Sequence, residues 1–156
     1  MAWPTEFVEG CSDRKFASVV ANAIQQLLDR DGQLLAADAN ERTICAHLAC
    51  YLKSLFPEWA VDVEYNRHGL DPKTIGVDEY AEYVYPDIII HQRGKEENLL
   101  VVEVKKGDSQ SPDQRDVKKL KAYISCFAYK FALFLRFSTT QPGVTAFAWV
   151  QNEPHP

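Results

Sequence analysis

Two short, mostly apolar runs, joined by a polar loop, restrict the fold of this chain more than any other feature. The runs cover residues 87–91 and 99–105, and the loop between them covers residues 92–98. Two β-branched runs around a short polar loop predict an antiparallel β-hairpin. If the hairpin is symmetric about Lys95, its opposed pairs are Asp87 with Glu103, Ile89 with Val101, and His91 with Leu99.

Two acidic side chains and one basic side chain share one face of this predicted hairpin. Directly opposed side chains are about 5 Å apart, so the carboxylates of Asp87 and Glu103 would repel each other. A divalent cation between them would offset the repulsion, because Mg²⁺ prefers oxygen ligands. Strand alternation places Lys105 on the same face as Glu103, whereas the other face is apolar. The apolar face consists of Ile88, Ile90, Leu100, Val102 and Val104.

An apolar hairpin of this kind is expected inside a sheet that is covered on both sides. Burying Asp87, Glu103 and Lys105 there is costly unless the three residues share a role. Two interpretations fit the pattern. Either the three residues form a metal-dependent site, or Glu103 and Lys105 form an internal ion pair with a purely structural role.

The same residues carry a resemblance to a known family. Pro86-Asp87, followed after the hairpin by Glu103-Val104-Lys105, resembles the P-D…(D/E)-x-K signature of the restriction-endonuclease-like nuclease superfamily. The resemblance implies an α/β fold, namely a three-layer α-β-α sandwich around a central mixed sheet of about five strands. It also implies metal-dependent hydrolysis of phosphodiester bonds in nucleic acid, with DNA as the expected substrate.

The resemblance assigns roles to individual residues. Asp87 and Glu103 would hold Mg²⁺ or Mn²⁺, with the backbone carbonyl of Val104 as a third protein ligand. Lys105 would orient and polarise the attacking water and offset charge on the phosphate. Members of the superfamily often carry an acidic residue in the helix before the first core strand, and Glu41 matches that place.

Glu41 has two interpretations. It lies at the start of a helix predicted from about residue 40 to Phe56 and ended by Pro57, near the centre of the buried stripe of that helix. Residues 38–41 could form a capping box in which Glu41 reaches back to the cap. Alternatively, Glu41 points towards the hairpin as a further metal-binding carboxylate.

Four residues are candidates for contact with the substrate. The segment Ser111-Pro112-Asp113-Gln114 predicts the start of a helix after the motif, capped by Ser111. In similar nucleases, a Gln or Lys of this helix often overlooks the site. Gln114 and Lys121 flank one edge of its buried stripe, whereas Lys119 flanks the other with Asp116 and Tyr123. Spacing does not choose between the edges. Arg67 is the fourth candidate and lies in the long irregular segment 66–84.

The remaining pattern predicts one domain over residues 1–156, with its structured core at about 12–151. A first helix is expected from Ser12 to about Arg30, with Gly32 at its end. Strands are expected at residues 61–66, 130–137 and 144–151, in addition to the hairpin. The element order α-α-β-β-β-α-β-β predicts a mixed sheet between helices.

Composition restricts the class of protein further. The chain has 156 residues, 46% of them hydrophobic, and a net charge of −5, which fits a globular domain. The four cysteines form no C-x-x-C pair, which gives no support for an iron–sulfur cluster and predicts mostly buried, free thiols in a reducing cytoplasm. The sequence shows no signal peptide and no membrane-spanning stretch. The expected partner is nucleic acid, with specificity supplied by loops, a homodimer or a partner protein.

Two alternatives to an active nuclease stay open. The chain could be an inactive module that keeps the nuclease fold for binding nucleic acid or protein, because a fold alone does not establish an activity. It could also be a glycosidase with two carboxyl groups at about 5 Å, a separation typical of a retaining mechanism. The neighbouring Lys105 and the lack of a tryptophan-lined cleft near the motif argue against the glycosidase.

Overall fold

The computed structural model describes residues 3–65 and 85–151 in full and, between them, only the backbone of four two-residue strands. The helices within these residues are α1 (Thr5–Glu9), α2 (Arg14–Ala36), α3 (Glu41–Leu55) and α4 (Gln114–Phe127). The strands are β1 (Ala60–Val63), β2 (Arg67–His68), β3 (Asp71–Pro72), β4 (Thr74–Ile75), β5 (Glu82–Tyr83), β6 (Ile88–His91), β7 (Asn98–Lys106), β8 (Phe131–Phe137) and β9 (Val144–Val150).

A mixed sheet of five strands forms the centre of the molecule, in the order β1-β6-β7-β8-β9. Only β7 and β8 are parallel, and α4 connects them. Side chains of β6 and β7 alternate between two hydrophobic clusters. One cluster contains the buried faces of α1, α2 and α3, and the other contains that of α4. The expected mixed sheet between helices is therefore confirmed, with the motif strand β7 in its middle.

The β6–β7 hairpin has the predicted register over most of its length. Ile89 pairs with Val101, as expected. The predicted pairing of His91 with Leu99 is wrong, because a β-bulge leaves Leu99 unpaired and His91 pairs with Asn98. Asn98 is buried, and its Nδ2 donates to the carbonyl of Phe127 at 2.8 Å. The bulge thus lies at the loop end of the hairpin and leaves the register at the motif end unchanged.

Two predicted helix caps are displaced by one or two residues. Asp13, not Ser12, caps α2 by accepting from the backbone N–H of Phe16 at 3.0 Å. Asp113, not Ser111, caps α4 and accepts from two backbone N–H groups of its first turn. In each case Asp and Ser lie within two residues of each other, and both are good caps, so the sequence leaves the choice open.

Helix α2 is broken close to its predicted end at about Arg30, because Asp31 leaves helical geometry (φ −121°, ψ 20°), and a second helical segment continues to Ala36. Gly32 follows this break and also allows a close approach, because a Cβ atom there would lie 2.9 Å from Cγ of Pro142. The packed structure begins before residue 12 as well. Phe7 in α1 is fully buried, and its carbonyl accepts from Nε1 of Trp149 at 2.8 Å.

All four cysteines are free thiols. Cys11 and Cys45 are buried, whereas Cys50 and Cys126 are exposed, so the expectation of mostly buried thiols holds for half of them. In the part of the chain that the structure describes, no helix has both the length and the apolar character needed to cross a membrane.

Candidate functional site

Asp87 lies directly before β6 and reaches across to β7. Its Oδ2 accepts from the backbone N–H of Val104 at 2.7 Å. Ile88 pairs with Val102, so the same register continued by one residue places Asp87 opposite Glu103. This is the opposition expected from the sequence. Val104, whose carbonyl is the candidate third ligand, is 1% exposed in the middle of the sheet.

Glu103 is a buried carboxylate with an incompletely satisfied oxygen. Its side chain faces α4, and the residue is 3% exposed. Nζ of Lys119 lies 3.5 Å from Oε1, close enough for an ion pair but too far for a hydrogen bond, so Oε1 has no hydrogen-bond partner. Burial, and next the charge of Asp87, raise the pKa of Glu103 well above its ordinary value, and Lys119 offsets this only in part.

Lys105 is paired with α4 and not with Glu103. Its Nζ lies 3.5 Å from Oδ2 of Asp116. Burial alone would lower the pKa of Lys105, but Asp116 and Glu41 outweigh it, and the pKa is raised. Lys105 is therefore an ammonium at neutral pH. In the described parts of the chain, the internal ion pair between Glu103 and Lys105 does not form.

Asp116 and Tyr123 were not predicted as site residues. Asp116 is 4% exposed, and burial raises its pKa despite the ion pair with Lys105. Tyr123 is fully buried, and its pKa is raised by burial, by the charge of Glu103 and by the contact of its hydroxyl with the Glu103 carboxylate. Both lie on the same helix edge as Lys119, at spacings of three and four residues. The sequence does contain one signal for Asp116, because an acidic residue on an edge of the buried stripe of α4 could pair with the lysine of the motif strand.

The candidate substrate residues separate into three groups. Lys119 faces Glu103, and Asp116 faces Lys105. Of the two helix edges between which the sequence did not choose, the one that faces the motif is therefore the edge with Asp116, Lys119 and Tyr123. Gln114 and Lys121 are exposed on α4. The side chain of Arg67 lies outside the described residues.

Glu41 does not form a capping box, the first of its two interpretations. Asn40 caps α3, and its Oδ1 accepts from the backbone N–H of Thr43 at 2.8 Å, so Glu41 is the first helical residue and not the third after a cap. Asp38, the cap in that interpretation, bonds to Lys106 instead at 2.8 Å. Glu41 lines a cavity of about 180 Å³ that Asp87 also lines.

The cavity brings further groups close to Asp87. Its other lining residues are Arg42, Cys45, Val63 and Glu64. Cys45 is 2% exposed, and its pKa is raised by burial and by the charges of Asp87, Glu41 and Glu103. The thiol therefore stays protonated, because a thiolate would be one more negative charge among three carboxylates.

The carboxylate oxygens at this place fit a partly hydrated Mg²⁺ site better than a metal site closed by protein ligands. Among the side chains that the structure describes, no group of three or more His, Cys, Asp and Glu residues is placed to hold a metal ion. A closed protein cage is therefore not supported. Mg²⁺ usually retains several waters and is held by one or two carboxylates together with substrate phosphates. Asp87 and the unsatisfied Oε1 of Glu103 fit that requirement.

Glu103→Gln is expected to stabilise the metal-free protein in a pH-dependent way. The pKa of Glu103 is raised in the folded state, so the folded protein favours the protonated side chain. Its contribution to the free energy of unfolding is therefore complete below the unfolded-state pKa and is lost as pH rises through the folded-state pKa. The variant should therefore be more stable than the wild type at about pH 8, by about 1 kcal/mol or more, or about 2–4 °C in Tm. The difference should shrink towards about pH 5.

The measurement is urea unfolding in EDTA across this pH range. Glu97→Gln is the matched control, because Glu97 is exposed in the hairpin loop and should show no such trend. A stability difference that does not change with pH would mean that Glu103 titrates normally.

Comparisons with known proteins add little to this geometry. No protein-family model matches the chain, and no curated protein matches it. A solved structure described as the crystal structure of SSO0001 is similar, with 18% sequence identity and a TM-score of 0.46. The match covers 86% of this chain and 63% of that one, so this chain spans less than two thirds of its length. This likeness carries no argument about function.

Proposed function

We propose that this chain is a metal-dependent nuclease of the restriction-endonuclease-like superfamily, with the three-layer sandwich typical of that family. It would hydrolyse phosphodiester bonds in nucleic acid, and DNA is the expected substrate. The observation that carries the proposal is the Glu103 carboxylate, which is buried opposite Asp87 and has an oxygen without a hydrogen-bond partner. A buried acceptor of this kind is costly to a protein unless it has a ligand.

Each residue of the motif would have a distinct role. Asp87 and Glu103 would bind Mg²⁺ or Mn²⁺, and Glu41 would contribute from the shared cavity through a water molecule, because the described residues place no third carboxylate to hold the ion directly. A bound divalent ion lowers the pKa of water and offsets charge on the phosphate oxygens. The protein supplies the fixed carboxylates and excludes bulk solvent from Glu103, which is 3% exposed.

Lys105 would act as a cation and not as a general base. Its raised pKa keeps it protonated, so it can donate hydrogen bonds but cannot accept the proton of the attacking water. It would orient that water and stabilise the charge that develops on the phosphate. Asp116, at 3.5 Å, holds the ammonium near the strand.

The direct test is cleavage of single- and double-stranded DNA and RNA with Mg²⁺ and with EDTA. Cleavage that requires Mg²⁺ and stops in EDTA is the expected result, together with faster cleavage of DNA than of RNA. Binding of nucleic acid without cleavage would favour the inactive module. Hydrolysis of a polysaccharide in EDTA would favour the glycosidase.

A further inference from the structure

Lys119 occupies an unusual place for a surface lysine. It is half-buried on one edge of α4, and its ammonium lies 3.5 Å from Oε1 of Glu103, an oxygen with no hydrogen bond. The side chain of Lys119 is 35% exposed, whereas that of Glu103 is 4% exposed. A partly solvated cation is thus the counter-charge of a buried carboxylate.

We infer that Lys119 is a resident counter-ion that a divalent cation displaces from Glu103 when it binds. This inference rests on the proposed metal site at Asp87 and Glu103. Lys119 and the divalent ion compete for the same carboxylate, so Lys119 limits metal affinity in the free protein. Two cations on one carboxylate repel each other, and the monovalent one, on a flexible stem, is the one that moves.

A second carboxylate is available to the displaced ammonium. Asp116 lies one helical turn before Lys119 on the same edge of α4, and the charge of Lys119 already lowers the pKa of Asp116 against the effect of burial. Oδ2 of Asp116 is buried and already forms an ion pair with Lys105 at 3.5 Å, so Lys119 would share this carboxylate with Lys105. Lys119 therefore has a nearby alternative partner, and its departure from Glu103 does not leave it unpaired.

The inference predicts that removing the charge of Lys119 strengthens metal binding. Lys119→Met keeps the length and the apolar stem of the side chain and should lower the Mn²⁺ dissociation constant about tenfold. Lys119→Arg keeps the charge and should bind Mn²⁺ within about twofold of wild type. Lys118→Met, an exposed position on the solvent side of the same helix, is the matched control and should also be within about twofold.

The measurement is calorimetric titration with Mn²⁺ at about pH 8, without nucleic acid, so it does not depend on activity. Unfolding curves for wild type and all four variants, including Asp87→Asn, confirm that they are folded. If wild type binds Mn²⁺ and Asp87→Asn does not, the proposed metal site is supported. If Lys119→Met then binds Mn²⁺ no more tightly than wild type, the proposed displacement of Lys119 by the metal ion is wrong. If wild type binds no Mn²⁺, the metal site and the displacement of Lys119 are both wrong.

Discussion

Lys105→Ala is expected to lower the rate of Mg²⁺-dependent DNA cleavage by about 10²-fold or more, or about 3 kcal/mol of transition-state stabilisation. The loss follows from the proposed role of the ammonium, which acts mainly on charge that develops during the reaction. Metal binding should be nearly unchanged, because Lys105 is paired with Asp116 and not with Glu103. The measurement is the cleavage rate at saturating Mg²⁺, with Mn²⁺ affinity determined in parallel.

Lys106→Ala is the matched control for this variant. Lys106 is the next residue of β7, but its Nζ bonds to Asp38 at 2.8 Å, beyond the end of α2. The control should cleave within about twofold of wild type. Lys105→Ala leaves Asp116 without its cation, and because the side chain of Lys105 is 39% exposed we expect a loss of stability of only about 1 kcal/mol. Wild-type cleavage by a folded Lys105→Ala would remove Lys105 from the reaction.

Asp87→Asn is expected to abolish stabilisation of the fold by Mg²⁺. A ligand at a hundred times its dissociation constant stabilises the folded state by about 2.7 kcal/mol, and this gain should be lost. The metal-free variant should be as stable as wild type or more so. Its amide oxygen can still accept from the N–H of Val104, and the charge that raises the pKa of Glu103 is removed.

Glu64→Gln tests whether any carboxylate of the cavity would have this effect. Glu64 lines the same cavity, but it forms an ion pair with Arg42 at 3.1 Å, and its side chain is 41% exposed. The thermal melt with and without Mg²⁺ should therefore respond as in wild type for Glu64→Gln and not for Asp87→Asn. An unchanged Mg²⁺ response in Asp87→Asn would mean that the ion binds elsewhere.

Most of the fold could be predicted because hydrophobic periodicity determines it. The side chains of the hairpin alternate between the two faces of the sheet, and a shift of the strand pairing by one residue would move each of them to the other face. Ile89 pairs with Val101, as this alternation requires. Strand β8 is buried along its whole length, as expected of a central strand whose residues 131–135 are all apolar, although it also buries Arg136. The bulge at Leu99 escaped prediction because two-residue alternation carries no signal for it; the adjacent Asn98 is buried and bonds to Phe127, far along the chain.

The charged site could be predicted only in part, for a reason of geometry. Alternation places Glu103 and Lys105 on one face, but it does not say which residues of another element come opposite them. Both find their partners on α4, at Lys119 and Asp116. The rotation of α4 about its own axis depends on how the helix packs against β7 and β8. Helical periodicity alone does not decide which edge of its buried stripe faces the motif.

The proximity of these groups along the chain has a consequence for folding. Asp87, Glu103, Lys105, Asp116 and Lys119 all belong to one continuous stretch formed by the hairpin and the helix that follows it. The entropy lost in bringing residues together rises with the length of chain between them, so these five groups meet at a low cost. Local contacts of this kind also form faster than distant ones. The charged cluster can thus assemble before the chain has brought α2 and α3 onto the opposite face of the sheet.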